Sequence, residues 1–184
     1  MDRRRFIRSS LSAAVAASIP GTQALAASLL HTPTSVPADI EAITGEGTEV
    51  TLPQAAVQEL SDSLKGRLLL PGSQAYDEAR TVLNPSFDRH PALVVQPTGS
   101  ADVQYAVDFA RDNSLLLAVK CGGHSASGKS SCDKGLQIDL SQLRNARVDR
   151  AAKTARIAGG SLLGELDHEA MSHGLVTTAG SVSH

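Results

Sequence analysis

Two short apolar runs, residues 91–97 and 115–119, enclose a stretch of helical periodicity, and this alternation limits the possible folds more than any other feature of the chain. "PALVVQP" is apolar at consecutive positions and bounded by prolines, which reads as a strand buried on both faces. Ser100 is placed to cap a helix over residues 101–112, where Val103, Ala106, Val107 and Ala110 recur at i, i+3, i+4 and i+7. Asn113 stops that helix, and "LLLAV" (115–119) follows as a second buried strand. Strand, helix and strand make a βαβ unit, with a right-handed crossover and a parallel pair. "GLQIDLS" (135–141) alternates apolar and polar residues as a third strand.

The flanking segments are read the same way. Pro53 opens a helix that runs to Leu64 with Val57, Leu60 and Leu64 on one face, and Gly66 ends it. "GSQAYDEARTVLN" is a polar turn followed by a short helical or extended piece. "ARV" and "TARIA" form a hairpin around a polar turn at 149–153. Gly159, Gly160 and Ser161 then open a helix over 162–172, with Leu163, Leu166 and Ala170 facing inward and Gly174 closing it. There is no internal repeat. No further element follows to cover the hairpin, and an open sheet edge is a liability. The chain is therefore expected to be a piece of a longer protein, inactive and poorly soluble alone.

The N-terminus carries a different signal. "MDRRRFIRSSLSAAVAASIPGTQALAAS" has a basic start, an apolar middle and a small-residue exit, the layout of an export signal. Arg3-Arg4-Arg5-Phe6-Ile7-Arg8 resembles the twin-arginine pattern, and Ala24-Leu25-Ala26 marks cleavage after Ala26. Residues 11–19 are too few to make a stable membrane span. The expected destination is the periplasm or the exterior. Residues 27–50, rich in Thr, Pro, Gly and acidic groups, are read as a linker, and 51–184 as the folded part. The formal charge is -2, and removing residues 1–26 makes the balance more acidic, which argues against a nucleic-acid partner.

"VKCGGHSASG" (119–128) places one histidine in a loop almost free of bulky side chains. One reading is a pyrophosphate-binding loop: consecutive N–H groups after a strand form an anion-binding concavity, glycines admit the phosphates closely, and Lys120 adds positive charge. The loop is not G-x-G-x-x-G, and no helix clearly follows, so a Rossmann site fits poorly. A second reading is a metal site built on Cys121, His124 and Cys132, but a closed zinc site needs a fourth ligand and none is evident. The third is a glycine-rich turn with an exposed histidine.

The longer stretch "PALVVQPTGSADVQYAVDFARDNSLLLAVKCGGHSASGKSSCDKGLQIDLSQL" resembles the first FAD-binding subdomain of the vanillyl-alcohol oxidase/PCMH flavoprotein superfamily, most of all its berberine-bridge-enzyme-like branch. "GGSLLGELDHEAMSHGLVTTAGSVSH" is similar to that family's next segment, so the resemblance covers about residues 75–184. It implies an α+β, PCMH-type FAD-binding fold: a small parallel βαβ subdomain followed by a second α/β subdomain, here truncated. It also implies FAD as cofactor. Lys120, Cys121, Gly122, Gly123, His124 and Ser125 would wrap its pyrophosphate, with Gly128 in the same loop. Gly180, Ser181 and Ser183 would approach from the other side, and His124 would be bonded covalently to the flavin's benzene-ring methyl group.

The implied chemistry is oxidation of a small alcohol- or sugar-type substrate, with oxygen or another acceptor taking the electrons. A non-covalent electron-transfer subunit and a non-catalytic remnant are the alternatives. The sequence departs from the family at three points. Lys120 and Cys121 stand where Arg and Gly are usual, and Val182 stands where some members carry a second flavin-linked cysteine, so a single tether is expected. If the usual glycine needs positive φ, Cys121 strains the loop. Cys121 and Cys132 are expected as free thiols, and His90, His168 and His173 as surface or capping residues. No general base is assigned.

Overall fold

The computed structural model describes residues 33–180. The expected export signal and the cleavage site expected after Ala26 lie outside the described residues, as do Ser181, Val182, Ser183 and His184.

A four-stranded mixed sheet forms the centre, in the order β3 (Arg67–Leu69), β4 (Leu93–Gln96), β6 (Leu136–Asp139), β5 (Leu117–Lys120). β4 and β5 both run parallel to β6, and β3 pairs antiparallel with β4. The βαβ crossover is present, but β6 lies between its two strands, so β4 and β5 are not paired with each other as the sequence reading expects. Position in the sheet follows: β6 is buried at every residue, while β5 is an edge strand with Leu117 and Val119 exposed and Ala118 and Lys120 inside. The expected second buried strand is thus buried on one face only.

α3 (Ser100–Asp112) carries the crossover and packs Ala106 and Ala110 into the core. Its buried face also holds Asp102, whereas Val107 faces solvent. The reason is a hydrogen-bond cluster: one Asp102 oxygen accepts from the Thr98 N–H at 2.8 Å and the Gly66 N–H at 2.9 Å, the other from the Lys65 N–H at 2.9 Å. A carboxylate near a helix N-terminus that receives several N–H bonds repays its burial. Burial pushes the Asp102 carboxyl up, but these bonds together hold it below the ordinary aspartate value. Gly99, not Ser100, is the N-cap, and no side chain caps the helix.

α1 (Gln54–Ser63) packs Val57 and Leu60 into the same core, with Leu64 following. Gly66 does not end this helix as expected. It enters β3, where a side chain would run into the Gln96 backbone.

The linker reading of 27–50 fails over its described part. β1 (Ile40–Ile43) and β2 (Glu49–Leu52) form an antiparallel hairpin, and Val36, Ala42 and Leu52 are buried in the core. Side chains of α1 secure the approach: the Gln58 Oε1 accepts from the Val36 N–H at 3.0 Å, and the Ser61 hydroxyl donates to the Thr34 carbonyl at 3.1 Å. Sparse but well-placed apolar residues outweigh a loop-like composition here.

After a 3₁₀ turn (Leu140–Gln142), β7 (Ala146–Asp149) and β8 (Thr154–Ile157) form the expected hairpin. α4 (Leu163–Ser172) lies against it with Leu166 and Ala170 buried, and Gly174 closes the helix at φ 66°. Ser161 does not cap α4. It exchanges two 2.9 Å hydrogen bonds with the Asn145 backbone. No helix among the described residues is long and apolar enough to cross a membrane.

Candidate functional site

The chain leaves the sheet at the carboxyl end of β5 and returns at β6, and the histidine loop lies between, where open parallel sheets place ligands. Three outside contacts fix its path. The Leu83 N–H donates to the Gly123 carbonyl at 3.1 Å. Arg89 Nη1 donates to the carbonyls of Gly128 at 3.0 Å and Ser131 at 2.7 Å, while its guanidinium lies over the Phe87 ring. The Cys121 thiol meets the Gly159 carbonyl and so links the loop to the segment before α4. Within the loop, the Gly128 N–H donates to the Ser125 carbonyl at 3.1 Å and the Lys129 N–H to the Ser125 hydroxyl at 3.2 Å.

Apart from the Cys121 thiol and the Gly128 and Lys129 N–H groups, these contacts draw on the loop's acceptors. Among the described residues, none of the N–H groups of residues 122–127 donates a hydrogen bond. A row of free N–H groups beside a glycine pair is a cradle for an anion. Gly123 and Gly128 have φ of 71° and 68°, and a side chain at Gly128 would run into the Phe87 ring, so both positions require glycine. His124 is exposed, and its ring folds back over Gly122, where a side chain would collide with it. Among the described residues the imidazole makes no hydrogen bond, which leaves both nitrogens available. Cys121 is not among the residues with positive φ, so the expected strain at that position does not arise.

Lys120 is placed otherwise than expected. Its side chain does not join the row of free N–H groups but turns under the sheet, 8% exposed. The ammonium donates to the Ala79 carbonyl at 2.6 Å and the Glu78 carbonyl at 3.4 Å, in the last turn of α2 (Tyr76–Arg80), and lies 3.9 Å from an Asp139 oxygen. Burial lowers its pKa below the usual lysine value, and the nearby Asp139 and Glu78 offset this only in part. Asp139 in turn accepts from Gln96 Nε2 at 2.8 Å and the Ser141 hydroxyl at 2.9 Å, and Gln137 Nε2 donates to the Ala79 carbonyl at 2.8 Å.

The two cysteines are free and unlike: Cys121 is exposed, whereas burial pushes the Cys132 thiol up to about 11. Among the described residues no cluster could hold a metal ion. His90, His168 and His173 are all exposed. Gly180 lies beside Leu163 and makes no hydrogen bond to the histidine loop. Sequence reasoning missed Arg89, Phe87, Gln137 and Asp139. Only Asp139 offered a signal, an acidic residue at the end of an apolar strand.

A mixed sheet whose parallel strands carry an N–H-lined, glycine-bearing loop at their carboxyl ends has the form of a dinucleotide-binding class of protein. The model of the FAD binding domain family matches residues 91–184, and the chain belongs to that family. It is 37% identical over 129 residues to a FAD-linked oxidoreductase of Dictyostelium discoideum, covering 70% of this chain and 28% of the relative. The crystal structure of 6-hydroxy-D-nicotine oxidase from Arthrobacter nicotinovorans matches at TM-score 0.59 and 30% identity over 61% of this chain and 25% of that one. BBE-like 1 of Physcomitrella patens matches at TM-score 0.55 and 31% identity, over 60% and 24%. The chain thus spans about a quarter of the length of these proteins. Such structures bear out the PCMH-type, α+β fold.

Proposed function

We propose that this chain supplies the first half of the flavin cradle of an FAD-dependent oxidoreductase and that His124 carries the cofactor covalently. The observation that supports this most is the free N–H row of residues 122–127, which fits a pyrophosphate. Gly122, Gly123, His124 and Ser125 would hold it through these N–H groups, with Lys120, Cys121 and Gly128 framing the loop, and Gly180, Ser181 and Ser183 are the further residues assigned to the cofactor from the sequence resemblance. The free, exposed imidazole of His124 can act as a nucleophile. Val182 offers no second thiol, so the tether is single. When bound, the flavin supplies a two-electron acceptor for a substrate C–H bond. The loop residues hold and orient it, and Arg89 and Leu83 keep the loop from collapsing into its own free donors. By family resemblance the substrate is a small alcohol or sugar, and oxygen or another acceptor completes the turnover. By its N-terminal pattern, residues 1–26 direct the protein through the twin-arginine route to the periplasm or outside.

An acid denaturing gel viewed under ultraviolet light tests the tether. A fluorescent band that disappears in His124→Ala is the expected result. A dark band with yellow supernatant would replace the covalent reading with a non-covalent, electron-transfer one. A dark band with colourless supernatant would leave a remnant that has lost its flavin.

A further inference from the structure

We propose that Lys120 is a positioning residue for the flavin-binding loop: its buried ammonium holds the end of α2 against β5 and β6, so that Val82 and Leu83 meet Gly123 and keep the following N–H groups free. This rests on the flavin reading above, and it gives Lys120 a role different from contact with phosphate. The short helix α2 leaves carbonyls at its C-terminal end without helical partners. Lys120 from β5 and Gln137 from β6 both donate to the Ala79 carbonyl, at 2.6 and 2.8 Å, and thereby tie the helix end to two adjacent strands. Directly after α2, the chain passes beneath the loop. A side chain built at Gly123 would lie 3.4 Å from Val82 Cα and 3.5 Å from Lys120 Cε, so the lysine stem and this segment form the floor under Gly123. The Leu83 N–H then takes the Gly123 carbonyl.

Stability alone does not call for a lysine here. A methionine of similar length would fill the space without removing a charge from water. Only a donor can join the Glu78 and Ala79 carbonyls to the strand that launches the loop. The charged groups facing the ammonium are Asp139 on β6, at 3.9 Å, and Glu78 on α2.

Amide exchange and flavin incorporation in Lys120→Met and Lys120→Arg test the proposal. In a folded Lys120→Met protein, Leu83 amide exchange is expected to accelerate about tenfold or more, while Val95 and Ile138 in the sheet change little, since a local opening is distinct from global unfolding. Flavin incorporated per chain falls in parallel, and Lys120→Arg restores both. A folded Lys120→Met protein with Leu83 still protected, or with flavin incorporated as fully as in the wild type, would overturn the proposal. If Lys120→Met does not fold, Lys120→Arg decides: protection kept at Leu83 supports the role, and a folded protein with Leu83 exposed overturns it. A wild-type protein without flavin would sink the functional reading instead, while the Leu83 comparison would still decide the positioning role.

Discussion

β6 and β8 are strands of the same length with opposite surroundings. Leu136, Gln137, Ile138 and Asp139 of β6 are at most 1% exposed, whereas every residue of β8 is exposed, Ile157 by 46%. Residue type does not explain this, since β6 carries an amide and a carboxylate and β8 carries an isoleucine and an alanine. Neighbours do. β6 has a parallel partner on each side and both α2 and α3 against it, while among the described residues β8 packs chiefly on β7 and α4. Enclosure admits these polar residues through the partners they find: Gln137 Nε2 donates to the Ala79 carbonyl, and Asp139 accepts from Gln96 and Ser141, although among the described residues the Gln137 Oε1 accepts no hydrogen bond. The loop thus starts from the half-open edge strand β5, returns to the enclosed β6, and touches the exposed segment after β8 through Cys121 and Gly159.

The contrast has measurable consequences. Leu136→Ala should cost the most, about 3–5 kcal/mol in denaturant unfolding, because a central strand cannot collapse into the cavity. A loss under about 1 kcal/mol would mean the sheet centre is loosely packed. Asp102→Ala follows at about 3 kcal/mol, since it leaves buried N–H groups of Thr98, Gly66 and Lys65 without an acceptor. Its carboxyl is held below the ordinary aspartate value, so its contribution is present above that ordinary value and is lost as pH falls through the lower folded value. Asp102→Asn should flatten that acid limb of the stability profile, and an unchanged limb would show that other carboxylates dominate it. Leu166→Ala in α4 comes next, at about 2 kcal/mol, because a helix packed on one hairpin can relax. Equal losses for Leu136→Ala and Leu166→Ala would erase the distinction between the two regions.

Most of this architecture was legible in the sequence. Proline-bounded apolar runs mark β4, and 3.6-residue periodicity marks α1, α3 and α4, because those signals are local. Strand order was not legible. That β6 lies between β4 and β5 depends on which edge remains open, and a periodicity contains no such information. Within the site, the Gly-Gly-His signal gave the loop, since glycine at positive φ is a backbone requirement written into residue type. The inward turn of Lys120 was not legible: a lysine beside a phosphate-like loop carries the same letter whether it faces the ligand or a helix end. The hairpin at 40–52 was hidden for a related reason, as a few residues such as Val36 and Ala42 hold it in a core formed mainly by distant segments.

The smallest effect is expected at Ile157. Its side chain borders a groove of about 430 Å³ formed with Val148, Leu163, Leu166 and Val176, and it is half exposed. Replacing it with threonine keeps the β-branched shape that suits a strand and removes apolar surface of which about half is already in contact with water. Ile157→Thr should therefore change stability by no more than about 0.5 kcal/mol. The same substitution at Ile138 in β6 should cost several times more, since the new hydroxyl would be buried without a partner. A loss of about 2 kcal/mol at Ile157 would mean that the β8 face is covered in solution. In that case the difference between the strands would lie in what covers them, not in how strongly each contributes to the fold.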